Sequence, residues 1–398
     1  MSTPGHVNPG FWRQPANRSQ EYNYIEYWIS LAKTLEKGKF HGLFLTDMLG
    51  IYDVYKGPDN IYSVLPGAAQ FPITDPFLAV AAMTTVTKSL SFGITASTTY
   101  EHPSALARRF STLDHLSNGR VGWNIVTSYL ENAARNLGLN TQIPRDERYA
   151  IVMEYLEVMY KLWEGSWRDD AVVKDLVTRQ YTVPERVRRI DHKGKTFSVA
   201  GPHTVEPSCQ RTHFIFQAGT STEGKKFAAK HAKTMFVPGM ESRIVRKSTN
   251  EIRAPAMEQG RDPKGIKLLV GMLVIVDETD DLAQAKYEDD LSYADLEGSL
   301  ALFGGWTSAD FSKFSDDEDF AFTGPGAIQN MITSWSATIP GSKGTEWTKA
   351  RIAKELALGG PHPKAIGSAK TVADILENWT LEGDVDGFSL SYAVSPVV

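Results

Sequence analysis

Three features of the sequence predict an α/β protein on a parallel sheet, of the TIM-type (β/α)8 barrel class. Short apolar runs alternate with longer stretches of helical periodicity, the pattern of repeated βα units. Several of those runs finish on a small or polar residue just before a loop, at Asp47, Thr98, Ser128 and Gly219. In a parallel α/β protein that edge is where ligands sit. The length of 398 residues suits one large barrel or two to three smaller domains.

Seven candidate strands can be counted: 41–47 (HGLFLTD), 89–98, 120–127, 213–220, 234–239, 266–276 and 385–392. Amphipathic segments lie between them; the one following DERY repeats apolar residues at Val152, Tyr155, Leu156, Met159 and Trp163, one face of a helix. A full barrel needs eight strands and a closing helix. MSTPGHV is a poor strand sequence and the chain stops at SYAVSPVV, so the first strand and last helix are expected to be shortened or missing. Two insertions, about 169–211 and 294–367, interrupt the alternation and are expected to act as lid or substrate-channel segments.

Composition excludes several classes. A net charge of −5 gives no support for nucleic acid or an anionic membrane as partner. The lone Cys209 allows no intrachain disulfide. No apolar run approaches the ~18 residues that span a bilayer, and the first residues lack the pattern of a signal peptide. A cytoplasmic enzyme is expected. The histidines are dispersed without metal-ligand spacing, so no metal site is expected; His192 and His203 read as loop hydrogen bonders. G-x-S-x-G, Walker A and G-x-G-x-x-G are absent.

Two segments remain that carry chemistry. In FQAGTSTEGKKFAAKHA, Gly219, Thr220 and Ser221 lie between a strand and a helix, a phosphate cradle or else an ordinary Ser/Thr cap. In GRVGWNIVTS, Asn124 sits inside an apolar strand, where an unpaired amide costs ~1–3 kcal/mol. A planar heterocycle with donors and acceptors on its edge would satisfy it, and so would neighbouring side chains of the sheet. Ser128 at the strand end and Tyr149 in DERY offer hydroxyls to a phosphate.

These segments, with WRQP (12–15), LEKGKFHGLFLTDMLGIYDVY (35–55), ITASTTYEHPSALARRFSTLDHLSNGRVGWNIVTS (94–128), YKLWEGSW (160–167), GPHTVEPSCQRT (201–212) and GRDP (260–263), resemble the bacterial-luciferase-like flavin monooxygenases. Within that superfamily they are similar to the branch of nitrilotriacetate, dibenzothiophene-sulfone and long-chain alkane monooxygenases. The match runs in order over nearly the whole chain, which is thereby read as one barrel domain, 1–398.

The resemblance implies a two-component enzyme. It would take reduced FMN (FMNH2) from an NAD(P)H:flavin reductase and place one oxygen atom of O2 into a small organic substrate. Asp47 falls at the isoalloxazine edge, Thr95 and Ser97 line the flavin face, and Asn124 bonds the ring or ribityl chain. Thr127 joins them, while Ser128, Tyr149, Gly219, Thr220 and Ser221 hold the phosphate. His6 and His102 are expected to be catalytic, bonding a peroxide or moving a proton, with caps or loop contacts as their alternative roles; His362 can reach the site from the second insertion. Phe11, Trp12, Tyr52 and Tyr55 are expected to line an apolar substrate pocket. A homodimer or tetramer is expected by resemblance. Departures from the family pattern are the absent NAF-type first strand, the absent final helix, Cys209 in place of a proline, and Lys233 where an acid is usual. The competing readings are a deazaflavin-dependent oxidoreductase and a catalytically inactive flavin-binding barrel.

Overall fold

The computed structural model describes residues 2–219, 222–320, 326–339, 342 and 344–395. It divides into two compact units, one of Trp28–Met48 with Asp75–Phe216, the other of Met1–Tyr27, Leu49–Thr74 and Gln217–Val398.

In the first unit, β1 (Gly42–Leu45), β2 (Ser91–Ser97) and β3 (Val121–Val126) pair in parallel, with β4 (Phe214–Gln217) beside β3. The crossovers are helical, and their starts are written in the sequence. Asp75 caps α2 (Pro76–Thr84) and His102 caps α3 (Pro103–Ser117), each with proline at the first helical position, where no N–H is required. Asn118 ends α3 in the left-handed conformation.

The two faces of the sheet are built differently. Trp123 is fully buried on the helical side, against Phe110 and Trp163 at ring separations of 5.5 and 6.2 Å. On the other side Phe44 and Phe216 meet at 5.5 Å. They take the space over Gly93 and Gly122, where a Cβ would come within 2.8 and 2.6 Å of a phenyl ring. Strand alternation puts Thr95, Ser97 and Asn124 on that same face, nearer the C-terminal edge.

Single side chains tie the crossovers together. Glu36, near the end of α1 (Ile25–Lys37), accepts the N–H groups of Lys88, Ser89 and Leu90 before β2. The Arg120 guanidinium donates to the carbonyls of Thr84, Thr87, Leu90 and Ser117. The first insertion is ordered rather than a loop. Val172–Asp175 pairs with Gln180–Thr182, and His192–Lys193 with Ser198–Val199. The second hairpin hangs on Glu154 of α4 (Arg145–Tyr160), which accepts the N–H groups of Thr196 and Phe197.

In the second unit, the long β6 (Lys267–Asp277) pairs in parallel with β5 (Thr234–Phe236), β7 (Lys364–Ser368) and β8 (Gly387–Ser391). All seven strands read from the sequence are present, and β7 is an eighth. It lies in the segment assigned to the second insertion, whose end must therefore move back to before residue 364. KAIGS is short and follows Gly359, Gly360 and two prolines, so it reads as loop; pairing with β6 makes it a strand. Among its described residues, that insertion contains helices at Leu296–Thr307, Gly326–Thr338 and Lys349–Leu356, with Phe303, Phe311, Phe320, Trp335 and Trp347 buried.

The early and late segments of this unit are stitched by asparagine side chains. Asn8 donates to Tyr392 O at 2.7 Å and accepts Gly359 N–H at 2.7 Å; Asn17 accepts the N–H groups of Ser19 and Ser395. No described helix is long and apolar enough to cross a membrane.

Two outcomes follow from these ties. The backbone N–H groups of Ser89 and Lys88 hold the Glu36 carboxyl at about 2, against 4.5 for the free side chain. A depressed carboxylate stabilises the fold above its unfolded value and loses that contribution as pH falls toward its folded one. In urea melts, the stability gap between wild type and Glu36→Gln will therefore be constant at neutral pH and close between about pH 4.5 and 2. Asn8→Ala, which leaves a buried Gly359 N–H unpaired, will lower stability by ~1–3 kcal/mol in the same assay.

Candidate active site

The C-terminal ends of β1, β2 and β3 gather the polar side chains of the first unit. Thr95 and Asn124 are direct partners across the β2–β3 pair, and Asn124 Nδ2 donates to Thr95 Oγ1 at 2.9 Å. Asn124 is 3% exposed, and its Oδ1 is buried without a partner among the described residues. A carbonyl left this way costs ~1–3 kcal/mol, so the site suits a ligand that supplies an N–H or O–H donor.

One step further along the strands, Ser128 Oγ donates to Ser97 Oγ at 2.8 Å. Ser128 has a φ of 53°, so the chain leaves β3 by a left-handed residue and its hydroxyl turns back to β2. Thr127 contributes its carbonyl rather than its hydroxyl, accepting from Thr99 Oγ1 at 2.6 Å and from Arg148 at 3.3 Å. Arg148 and Tyr149 follow Asp146 and Glu147 at the start of α4, whose Pro144 cap makes no side-chain bond. Arg148 Nε is buried without a partner among the described residues, and burial pulls the guanidinium down from its usual value. A partly desolvated cation beside two serine hydroxyls and a helix N-terminus suits an oxyanion. Arg148 adds a charge that DERY already offered, one residue before the tyrosine chosen from it.

Asp47, half-buried after β1, is pushed up to about 7 by burial and by the neighbouring Asp75 and Glu101 carboxylates. Those two are bridged by Arg109, which reaches Asp75 at 3.2 Å and bonds Glu101. His102 is exposed, and its Nδ1 accepts the Ser104 N–H at 3.3 Å, the geometry of a helix cap. Gly219 is half-buried just before the helix Thr222–His231; Thr220 and Ser221 lie outside the described residues.

In the second unit, His6 stacks on Tyr392 with ring centroids 5.9 Å apart, and its Nδ1 is buried without a partner among the described residues. Burial, with nearby positive groups including His362, drives its basicity well below that of free histidine. Burial and Lys364 take His362 down to about 4. The His362 ring lies over Gly271, where a Cβ would meet it at 2.5 Å. Tyr52 and Tyr55 are buried, and Tyr52 Oη accepts the Trp306 Nε1–H at 2.9 Å. Phe11 packs in a core cluster with Leu273, Ile275, Leu358 and Ala393, and Trp12 is 41% exposed with its indole on Pro66 O. Tyr392, Trp306 and Gly271 gave no sequence signal, because their partners are hundreds of residues away or in another element. Among the described residues, no group of three or more histidine, cysteine or acidic side chains is placed to hold a metal ion.

Comparison with known proteins shows the family. The family model described as luciferase-like monooxygenase matches residues 10–378. The chain is 46% identical to the dimethyl-sulfide monooxygenase of Hyphomicrobium sulfonivorans, over 100% of this chain and 82% of that one. It is 43% identical to the long-chain alkane monooxygenase of Geobacillus thermodenitrificans, over 100% of this chain and 84% of the other. The crystal structure of the riboflavin lyase RcaE with modified FMN and riboflavin superposes with a TM-score of 0.85 and 30% identity, covering 98% of this chain and 85% of that one. Coverage of this kind leaves no major segment of the match unaccounted for, and the chain belongs to the luciferase-like monooxygenase family.

Proposed function

We propose that the chain is a two-component monooxygenase that uses reduced FMN, delivered by a separate NAD(P)H:flavin reductase, and O2. The observation that carries this reading is the buried Oδ1 of Asn124, unpartnered among the described residues, at the C-terminal edge of parallel strands, in a family whose relatives are monooxygenases. The residues present fit the group. Thr95, Ser97 and Asn124 offer acceptors and donors to a heterocyclic edge, with Asp47 beside them. Thr127, Ser128, Arg148 and Tyr149 are assigned to its phosphate; Gly219, Thr220 and Ser221 are assigned the same role from the sequence. When bound, the flavin supplies two electrons for the reduction of O2; the protein binds, orients and excludes water.

His6 is suited to the proton work. Kept neutral by its surroundings, it holds a free lone pair or N–H at neutral pH, ready to accept or give a hydrogen bond at Nδ1. His102 is assigned a lesser part, at the mouth of the site, because its Nδ1 already caps α3. Tyr52 and Tyr55, with Phe11 and Trp12, are assigned to the substrate side, which suits a small apolar molecule such as a thioether. The fold is assigned to a single (β/α)8 barrel, the oligomer to a homodimer or tetramer, and the compartment to the cytoplasm. The test is aerobic turnover with a flavin reductase, NADH and FMN against dimethyl sulfide and short alkanes, scored by oxygenated product. FMN binding without any product or change in peroxide yield would favour an inactive flavin-binding barrel instead.

Two substitution sets check the binding site directly. The double replacement Thr95→Val with Asn124→Leu removes a buried unsatisfied carbonyl together with its partner. It will leave the flavin-free protein as stable as wild type or ~1–2 kcal/mol more so, while abolishing FMN binding. Ser128→Ala and Arg148→Gln will each weaken FMN about tenfold, equivalent to ~1.4 kcal/mol, and will weaken riboflavin much less if they serve the phosphate. Fluorescence titration reads both.

A further inference from the structure

The ends of β1 and β2 carry three carboxyl groups and one bridging cation. Asp47 follows β1, Asp75 caps α2 through the Phe77 N–H at 2.9 Å, and Glu101 precedes the cap of α3. Arg109, two turns into α3, bonds both Asp75 and Glu101, and its guanidinium lies 3.9 Å over the Phe77 ring. One positive charge divided between two anions leaves a net negative charge beside Asp47, which has no side-chain cation bonded to it among the described residues. Tyr155, the other ionisable group near Glu101 and Arg109, adds no positive charge; its hydroxyl is fully buried and unpartnered among the described residues. A third anion at Asp47 would be desolvated and repelled, opposed by the Met48 N–H and, more weakly, by the positive amino terminus.

We propose that Asp47 meets the flavin as a neutral carboxylic acid, a hydrogen-bond donor, and that the Asp75–Arg109–Glu101 bridge is the positioning element that keeps it so. The inference rests on the flavin reading of the site. Reduced flavin is anionic near neutrality. An ionised Asp47 would repel it; the acid donates to it. The bridge thereby favours the reduced cofactor over the oxidised one, the preference that an enzyme fed by a separate reductase requires. The value of about 7 for Asp47 puts the change of state within the working pH range.

The test begins with the protein free of FMN. Infrared difference spectra between about pH 5 and 9 will show a carboxylic-acid C=O band that titrates near neutrality and is missing in Asp47→Asn. Glu101→Gln, which keeps the side-chain shape but removes one neighbouring charge, will lower that midpoint by about one pH unit. Arg109→Gln, which unmasks two anions, will raise it. Anaerobic titration then reads the cofactor. The wild-type Kd for reduced FMN will rise up to about tenfold per pH unit above the midpoint, and Asp47→Asn will lose that dependence. No Asp47-dependent band near neutrality overturns the proposal, as does a Glu101→Gln midpoint equal to wild type. A band that titrates as stated in a protein that binds FMN in neither redox state overturns the functional reading, and with it the donor role of Asp47.

Discussion

The first unit is organised by one hydrogen bond that satisfies only half of the group that makes it. Asn124 Nδ2 is matched to Thr95 Oγ1 by the β2–β3 register, and Asn124 Oδ1 is left buried and open. Parallel strands are covered on both faces, so water cannot make up the deficit. Everything around Asn124 holds that exposed need in place. Gly93 and Gly122 let Phe44 and Phe216 close the sheet below it, and Trp123 locks the strand from the other side through Ala96 O. A buried carbonyl left open in this way costs the protein stability.

Charged groups lie on both sides of that point. Toward β1 lie Asp47, Asp75 and Glu101, with one arginine between the last two. Toward α4 lie Arg148 and a helix N-terminus without a side-chain cap, whose first turn also carries Asp146 and Glu147. Low local polarity strengthens the interactions of both groups.

The second unit shows how a family member departs in detail while keeping its frame. Its sheet is centred on β6, which pairs with three other strands, and its insertion contains helices, with Phe303, Phe311, Phe320, Trp335 and Trp347 buried. Relatives named for dimethyl sulfide and for long-chain alkanes share more than two-fifths of the sequence with this chain. The substrates in those names differ greatly in length. Aromatic packing in an insertion is a direct way to change the volume of a site without disturbing strands.

The sequence by itself determined the architecture at the level of elements. Strand runs ending in Asp47 and Ser128, and Asp-Pro and His-Pro helix starts, depend on local periodicity and capping, which neighbours within four residues decide. It also singled out Asn124, because a polar residue in an apolar strand is visible without coordinates. The tertiary structure decided what local rules cannot express. KAIGS is a strand only because β6 lies beside it. His102 spends its Nδ1 on a helix cap, and Phe11 packs in a core. Arg109 joins two acids 26 residues apart in the chain, Asp75 and Glu101. Pairings between distant residues depend on how elements pack in space, and composition or spacing carries no record of that packing.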